Sequence, residues 1–532
     1  MTSTTRREQQ GTRCQLFPKT ENLPSSSPPS NQNKTKQKPI LPCPFAMNNL
    51  DNRSKKPSFG AHFQNNHSQK KQPTMAETST SSSCNGSPLT QIAQDHLFTI
   101  LLLLPVDSIL SFAMTCKKFR ALTASDTLWE YICQRDWGTK SVEAIKASNS
   151  NQQLPWMRIY KQVSGFDSVY CHRVCADPDA ELVFPTPRAS HSLNFVSDCL
   201  VLFGGGCEGG RHLDDTWVAY MGNDFQRLLK WQRISSGSPS GRFGHTCAVI
   251  DDFLVLFGGI NDNGNRQNDT WVGQVACHDS LGITLSWRLL VVGDNAPPQR
   301  GAHAACCIEG RKMVIHGGIG RFGVRLSDTW VLELSENFQT GTWYEIVMQP
   351  SPPARSGHTL TCIGGTRTVL FGGRGLGYDV LHDLWLLDIC EGHPQWLQVL
   401  YELQNIPGGV SLPRVGHSAT LILGGRLLIC GGEDSYRHRK NDFWVLDITA
   451  VPSITVQPTM LNSMHLFAKM WKRLKTKGHL PNCRSFHRAC ADQSGRCVFM
   501  FGGMVDGLLQ PADPAGLRFD GELLLVELVL KL

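Results

Sequence analysis

The sequence predicts a mainly β protein, in which a domain of six related units follows a small helical unit and a polar tail. Three observations carry that reading. The pattern Arg-x-x-His recurs six times, a Gly-Gly pair follows each copy behind a β-rich run, and ten of the thirteen tryptophans keep step with both. A chain of 532 residues has room for a large repeat domain with an appendage. A glycine count of 49 fits β-structure with many turns.

The tail comes first. Residues 1–87 are polar and low in complexity, with runs such as SSSPPSNQNKTKQKP and ETSTSSSCNGS. They hold too little apolar surface to offset the entropy of ordering, so the expectation is disorder. Met75, which opens MAETSTSSS, has the look of a start site. That leaves residues 1–74 as an extension or a Ser-rich transit segment. Charge is concentrated here: residues 1–75 carry twelve Lys/Arg against three acids, a balance of +9, so the overall +7 leaves −2 for the remainder. The folded part is near neutral and gives no case for nucleic-acid binding. No apolar run approaches the roughly 20 residues of a membrane span, and no secretory leader is visible. Nineteen cysteines, an odd number with no CxxC pair, suit a reducing cytoplasm or nucleus and argue against a zinc site. No cofactor is implied.

Residues 88–137 change character. Apolar residues fall at 97, 100, 101 and 104, at 109, 110, 112, 113 and 116, and at 128, 129, 132 and 133, which are helical spacings. They predict three helices, with Asp107 and Ser125 as N-caps of the second and third. A unit this small and apolar wants a partner surface. The run LLLLPVDSILSFAMTCKKFRALTASDTLW resembles an F-box, the motif by which substrate receptors dock on the Skp-family adaptor of cullin-based ubiquitin ligases. Leu101, Leu104, Pro105, Ile109, Leu110, Cys116, Phe119, Leu122, Leu128 and Trp129 fall on its pattern, and all but Leu122 are taken as adaptor-binding. Ile92-Ala93 stands where the usual opening is Leu-Pro. A plain reading of the same residues is a helical cap that shields one end of the next domain. Residues 138–167 read as a linker.

Residues 168–532 repeat. The Arg/His pairs are 188/191, 242/245, 300/303, 355/358, 414/417 and 484/487, so successive arginines stand 54 to 70 residues apart. In the first five units a tryptophan lies twelve residues beyond the second Gly, at 217, 271, 330, 385 and 444, and a second follows at 231, 287, 343, 396 and 471. Four short strands per unit, Gly-Gly and a spaced Trp resemble the kelch repeat of β-propellers. That resemblance implies a six-bladed ring, with blades starting near 188, 242, 300, 355, 414 and 484. In each blade the first strand starts at the His and the second ends at Gly-Gly. The motif Trp is expected to fill space between blades, and the second Trp to sit at the outer rim. The sixth unit ends at GELLLVELVLKL without a fourth strand, while VYCHRV (169–174) resembles WQRI (231–234). This early strand is expected to complete the last blade.

Repetition also sorts the candidate sites. An Arg, His or Asp present in every blade serves what all blades share, and Asp215, Asp269, Asp328, Asp383 and Asp442 are natural partners for the arginines. Specificity belongs where blades differ, in the loops after Gly-Gly. These offer Arg211, Arg266, Arg321, Arg325, Arg374, Tyr378, Tyr436, Arg437 and Arg439, residue types that commonly anchor protein interfaces. An insertion at about 449–470 lengthens blade five. Three classes of function fit. The first is a plant-like F-box/kelch receptor, non-catalytic, that binds the Skp adaptor, through it a cullin, and an unknown protein substrate. The second is an enzyme on a kelch scaffold. A copper oxidase would need convergent Tyr/His/Cys ligands, and an iron-dependent specifier protein would show Glu, Asp and His at four-residue intervals, a triple not found. The third is a kelch scaffold with no link to a ligase.

Overall fold

The computed structural model describes residues 89, 92–148, 154–174, 184–221, 230–234, 239–278, 282–390, 393–400, 412–448, 470–506 and 518–530. The expected tail, almost all of the insertion at 449–470 and most of the loop 504–520 lie outside them.

Helices lead. α1 (Gln94–Leu103), α2 (Val106–Ala113), α3 (Lys117–Thr123) and α4 (Asp126–Trp137) replace the three expected. Pro105, not Asp107, is the N-cap residue of α2, since the fixed φ of proline suits the entry to a helix. Asp107 lies in the first turn instead, and Ser125 occupies the N-cap of α4 without a side-chain cap bond. Their core is Leu97, Leu101, Ile109, Phe119, Leu122, Leu128, Trp129 and Ile132. Trp129 Nε1 donates to Thr123 O at 2.8 Å, and Arg135 Nη1 reaches Leu102 O and Leu104 O, both at 2.8 Å, closing the end of α1.

The stretch expected as a linker is instead two further helices, α5 (Thr139–Ser148) and α6 (Trp156–Gly165). Trp156, Ile159 and Val163 fall three and four apart and are buried. Tyr160 packs on Trp129 and Trp137, with centroids 5.3 Å away in each case, and donates to Asp136 Oδ2 at 2.9 Å. Beyond α6 the chain meets blade five. Arg426 donates from Nη1 to Val163 O (3.1 Å) and Ser164 O (3.2 Å), and from Nε to Asp447 Oδ2 (2.8 Å). Lys472 Nζ donates to Phe166 O at 2.6 Å.

The rest is a six-bladed propeller. Blade three is representative: Ala304–Ile308, Lys312–Ile319, Arg325–Leu334 and Gly341–Ile346 pair antiparallel in order. First strands of consecutive blades touch around a closed cycle, with Arg488–Ala491 of blade six meeting Ser192–Val196 of blade one. In blade six, Leu523–Leu528 pairs antiparallel with Ser168–Val174, so an early strand stands in the fourth position. Lys475–Gly478 then adds to its outer side, parallel, as a fifth.

A second closure runs around the axis. The third residue of each Arg-x-x-His donates its N–H to the carbonyl of its counterpart in the preceding blade: Gly244 to Ser190 (2.8 Å), Ala302 to Gly244 (2.7 Å), Gly357 to Ala302 (2.9 Å), Gly416 to Gly357 (2.9 Å), Phe486 to Gly416 (2.6 Å) and Ser190 to Phe486 (2.8 Å). All six have left-handed φ, between 54° and 68°. Glycine at three of them avoids the Cβ penalty that Ser190, Ala302 and Phe486 bear. The Gly-Gly pairs abut this belt. A Cβ on Gly317 would lie 2.8 Å from Arg355 O, and one on Gly318 2.7 Å from His303 Cβ, so no other residue fits.

Both tryptophans of a blade turn toward the blade before it. The second one is buried there rather than placed at the rim, because an indole gains more from filling the wedge between sheets than from facing water. Trp343 lies 4.9 Å from Phe257 and Trp471 5.1 Å from Phe371, centroid to centroid.

Candidate functional site

The repeated arginines are structural. Arg300 donates from Nε to Pro298 O (3.0 Å), from Nη1 to Gly317 O (3.1 Å) and Asp328 Oδ1 (2.8 Å), and from Nη2 to Asp328 Oδ2 (2.6 Å). Trp330 Nε1 adds a bond to the same carboxylate at 2.8 Å. Arg188, Arg242, Arg355 and Arg414 repeat the arrangement with Asp215, Asp269, Asp383 and Asp442. Arg484 divides itself between Glu522 and Asp520, each at 3.1 Å. Burial pushes the carboxyls of Asp215, Asp328, Asp383 and Asp442 up, but the guanidinium outweighs it and holds them below the usual range.

The repeated histidines sit just beneath the belt, all buried. Three accept or donate a bond across blades: Thr246 Oγ1 with His303 Nε2 (2.7 Å), Thr359 with His417 (3.0 Å) and Ser418 with His487 (2.9 Å). Burial, then the neighbouring arginines, drives the pKa of His191, His303 and His487 well below 6.5. Neutral rings out of reach of solvent are no general bases for an incoming substrate. Among the described residues no group of His, Cys, Asp and Glu could hold a metal ion, and no helix is long and apolar enough to cross a membrane.

Two surfaces remain, at opposite ends of the ring. First strands run away from the belt and second strands return to it, so the loops after Gly-Gly lie at the belt end. The helices meet the other end, where a Cβ on Gly424, in the Ile422–Arg426 hairpin, would touch Val163 at 2.9 Å.

On the helices, the residues matched to the motif divide. Leu101, Ile109, Phe119, Leu128 and Trp129 are buried in the helical core and shape the unit from within. Leu104 and Cys116 are half-buried, while Pro105 and Leu110 are exposed. The apolar surface also includes two residues the motif match missed: Leu103, 81% exposed, and Met114, 74% exposed. For Leu103 the signal was present, since five consecutive apolar residues on a helix cannot all face one core.

At the belt end, four of the nine candidate loop residues bond within the ring. Arg439 is buried against Ser485, Glu433 and Asp506 of its own and the next blade. Arg374 reaches Glu433 at 3.3 Å, Arg325 donates to Ser356 Oγ at 3.1 Å, and Arg266 donates to Gly264 O at 2.8 Å. Arg211, Arg321, Tyr378, Tyr436 and Arg437 are exposed. Phe322, 96% exposed, joins them although nothing singled it out.

Comparison with known proteins agrees with this division. The family model of the KLHDC2/KLHL20/DRC7 kelch-repeats domain matches residues 170–335 and 281–451, and the F-box-like model matches residues 94–135. An F-box/kelch-repeat protein of Arabidopsis thaliana is 59% identical over 458 residues, which cover 85% of this chain and 94% of that one. The chain belongs to the F-box/kelch-repeat family. This F-box/kelch chain is also 30% identical to Adagio protein 3 of Arabidopsis thaliana over 74% of its own length, but spans only 58% of that protein. The solved structure of YjhT matches with a TM-score of 0.43 at 16% identity, over 65% of the F-box/kelch chain and 96% of the other, too loosely to add to the strand topology. F-box helices joined to a kelch propeller make the architecture of a substrate adaptor.

Proposed function

We propose that the chain is the substrate-recognition subunit of a Skp–cullin–F-box ubiquitin-protein ligase. Its helices dock on the Skp-family adaptor, and its belt-end loops hold the protein to be modified. The observation that carries this is the apolar surface of α1 and α2, with Leu103, Leu110 and Met114 turned to solvent while the helices' own core is already filled. The propeller contributes proximity, not bond-making; transfer takes place on another subunit. Cytoplasm or nucleus is the proposed place of work, a reading supported by unbridged buried cysteines such as Cys133, Cys171 and Cys430.

Co-purification with the Skp-family adaptor tests the reading. Wild type should capture it, and Leu103→Asp with Met114→Asp should abolish capture while the melting midpoint stays put. Failure of wild type to bind would leave a kelch scaffold without ligase coupling. The feature favouring that second reading is Ile92-Ala93 in place of Leu-Pro just before α1.

A further inference from the structure

We propose that the belt end of blades three to five is a docking site for an extended acidic segment of a partner protein, one that carries an apolar side chain beside its carboxylates. The inference rests on the receptor reading and names the chemistry of what the receptor holds.

Charge comes first. Three consecutive blades each send a guanidinium to one place. Arg325 lies with Cζ 4.6 Å from the centroid of the Tyr378 ring, Arg374 is between the loops, and Arg437 is exposed on the next. Burial, then Arg325 and Arg437, lower the pKa of Arg374, against the pull of Glu433. Glu433 is the carboxylate bonded to Arg374, and it is shared with Arg439 (3.5 Å) and with Ser485 Oγ (3.1 Å). Asp506 is engaged by Arg439 as well. Of the remaining acids in these loops, Asp434 accepts from the backbone of Tyr436 and His438, and Asp379 is exposed. Cationic charge is left over, part-dehydrated and facing outward, which is the condition for strong charge-assisted bonds to a carboxylate.

The same loops offer apolar anchors. Phe322, Tyr378 and Tyr436 are 96%, 61% and 78% exposed, one from each blade. Phe322, Tyr378 and Arg437 hold left-handed φ of 58°, 64° and 63°, a conformation non-glycine residues avoid and one that concentrates at binding sites. Blades one and two differ: their loops show Glu208 and Asp262 at the surface and contain no aromatic residue. The chain's own N-terminal residues are not the occupant, because their +9 charge would be repelled by the patch.

The test uses the purified full chain and fluorescently labelled peptides blocked at both ends, with Asp/Glu residues flanking a leucine. Their Asn/Gln twins are measured alongside. The acidic peptides should bind with an affinity that falls as salt rises, and the amide twins should bind about tenfold more weakly or worse. Arg437→Asn keeps the left-handed φ accessible and removes only the cation. Combined with Arg321→Gln it should cost about tenfold in affinity, while Arg211→Gln on blade one should cost nothing. Equal binding of acidic and amide peptides, no binding of either, or indifference to the double substitution would overturn the proposal. So would preference for a phosphoserine peptide, or for a free C-terminal carboxylate, over side-chain acids. Adaptor capture measured on the same variants keeps the two readings apart. Capture retained while peptide binding fails sinks the acidic-segment proposal alone, and capture lost in wild type sinks the ligase reading alone.

Discussion

A guanidinium without water must be held on every side, and Arg300 is: each of its three nitrogens has an acceptor, two of them on Asp328. Removing one partner of such a buried pair strands the other charge, so Asp328→Ala should cost about 3–5 kcal/mol, read from a denaturant midpoint. Repetition made this role legible, because six arginines in one ring demand six counter-charges. Arg439 was not legible in the same way. An arginine in a variable loop reads as exposed, yet two of its three partners, Ser485 and Asp506, come from another blade. His316 is a different case. It stands where Phe203, Phe257, Phe371 and Phe501 precede the Gly-Gly pairs, and is buried with Nδ1 on Thr329 Oγ1 at 3.1 Å and no hydrogen-bond partner for Nε2. His316→Phe should raise stability by about 1 kcal/mol, visible as a higher melting temperature.

At the scale of elements, the helices were partly readable. The 3–4 spacing of Trp156, Ile159 and Val163 marks α6 as clearly as any helix in the chain; it packs on Trp129 and Trp137 of α4, but its C-terminal end rests on a hairpin some 260 residues away, as its Arg426–Val163 bond at a separation of 263 shows. Sequence separation of that size carries no local signal. The first four helices also separate surface from core. Ile109→Asp should unfold the helical unit, since that side chain is fully buried, whereas Leu110→Asp should leave its circular dichroism unchanged and lower adaptor capture. Arg426, together with Lys472, joins the two parts. Arg426→Ala should speed hydrogen exchange in α6 while leaving exchange in blades one to three as in wild type.

The whole ring shares one electrostatic weakness. Seven buried histidines, 191, 245, 303, 316, 358, 417 and 487, have their pKa lowered by burial, His316 to about 3. The unfolded chain binds protons near 6.5 and the folded chain does not, so the unfolded state is protonated first as pH falls. Stability is therefore full above about 6.5 and declines from there toward pH 3. Melting temperature should drop steadily between neutral and mildly acidic pH, and His316→Phe should make that slope shallower; a flat profile would contradict both. The ring itself could be read from the chain, because one frame repeats six times. The belt of main-chain bonds could not: its members are Ser, Gly, Ala, Gly, Gly and Phe, alike only in backbone angle.

The strand that closes blade six has a consequence in time. His172 and Glu527, bonded across that seam, are 355 residues apart. A ribosome adding about 5–20 residues per second needs roughly 20–70 s to get from one to the other. Throughout that interval α1 to α6 have been made, while Ser168–Val174 waits with an unpaired edge. The topology thus sets a window on each newborn molecule in which the helices can be complete before the propeller closes, and in which holding that edge apart from other chains matters most.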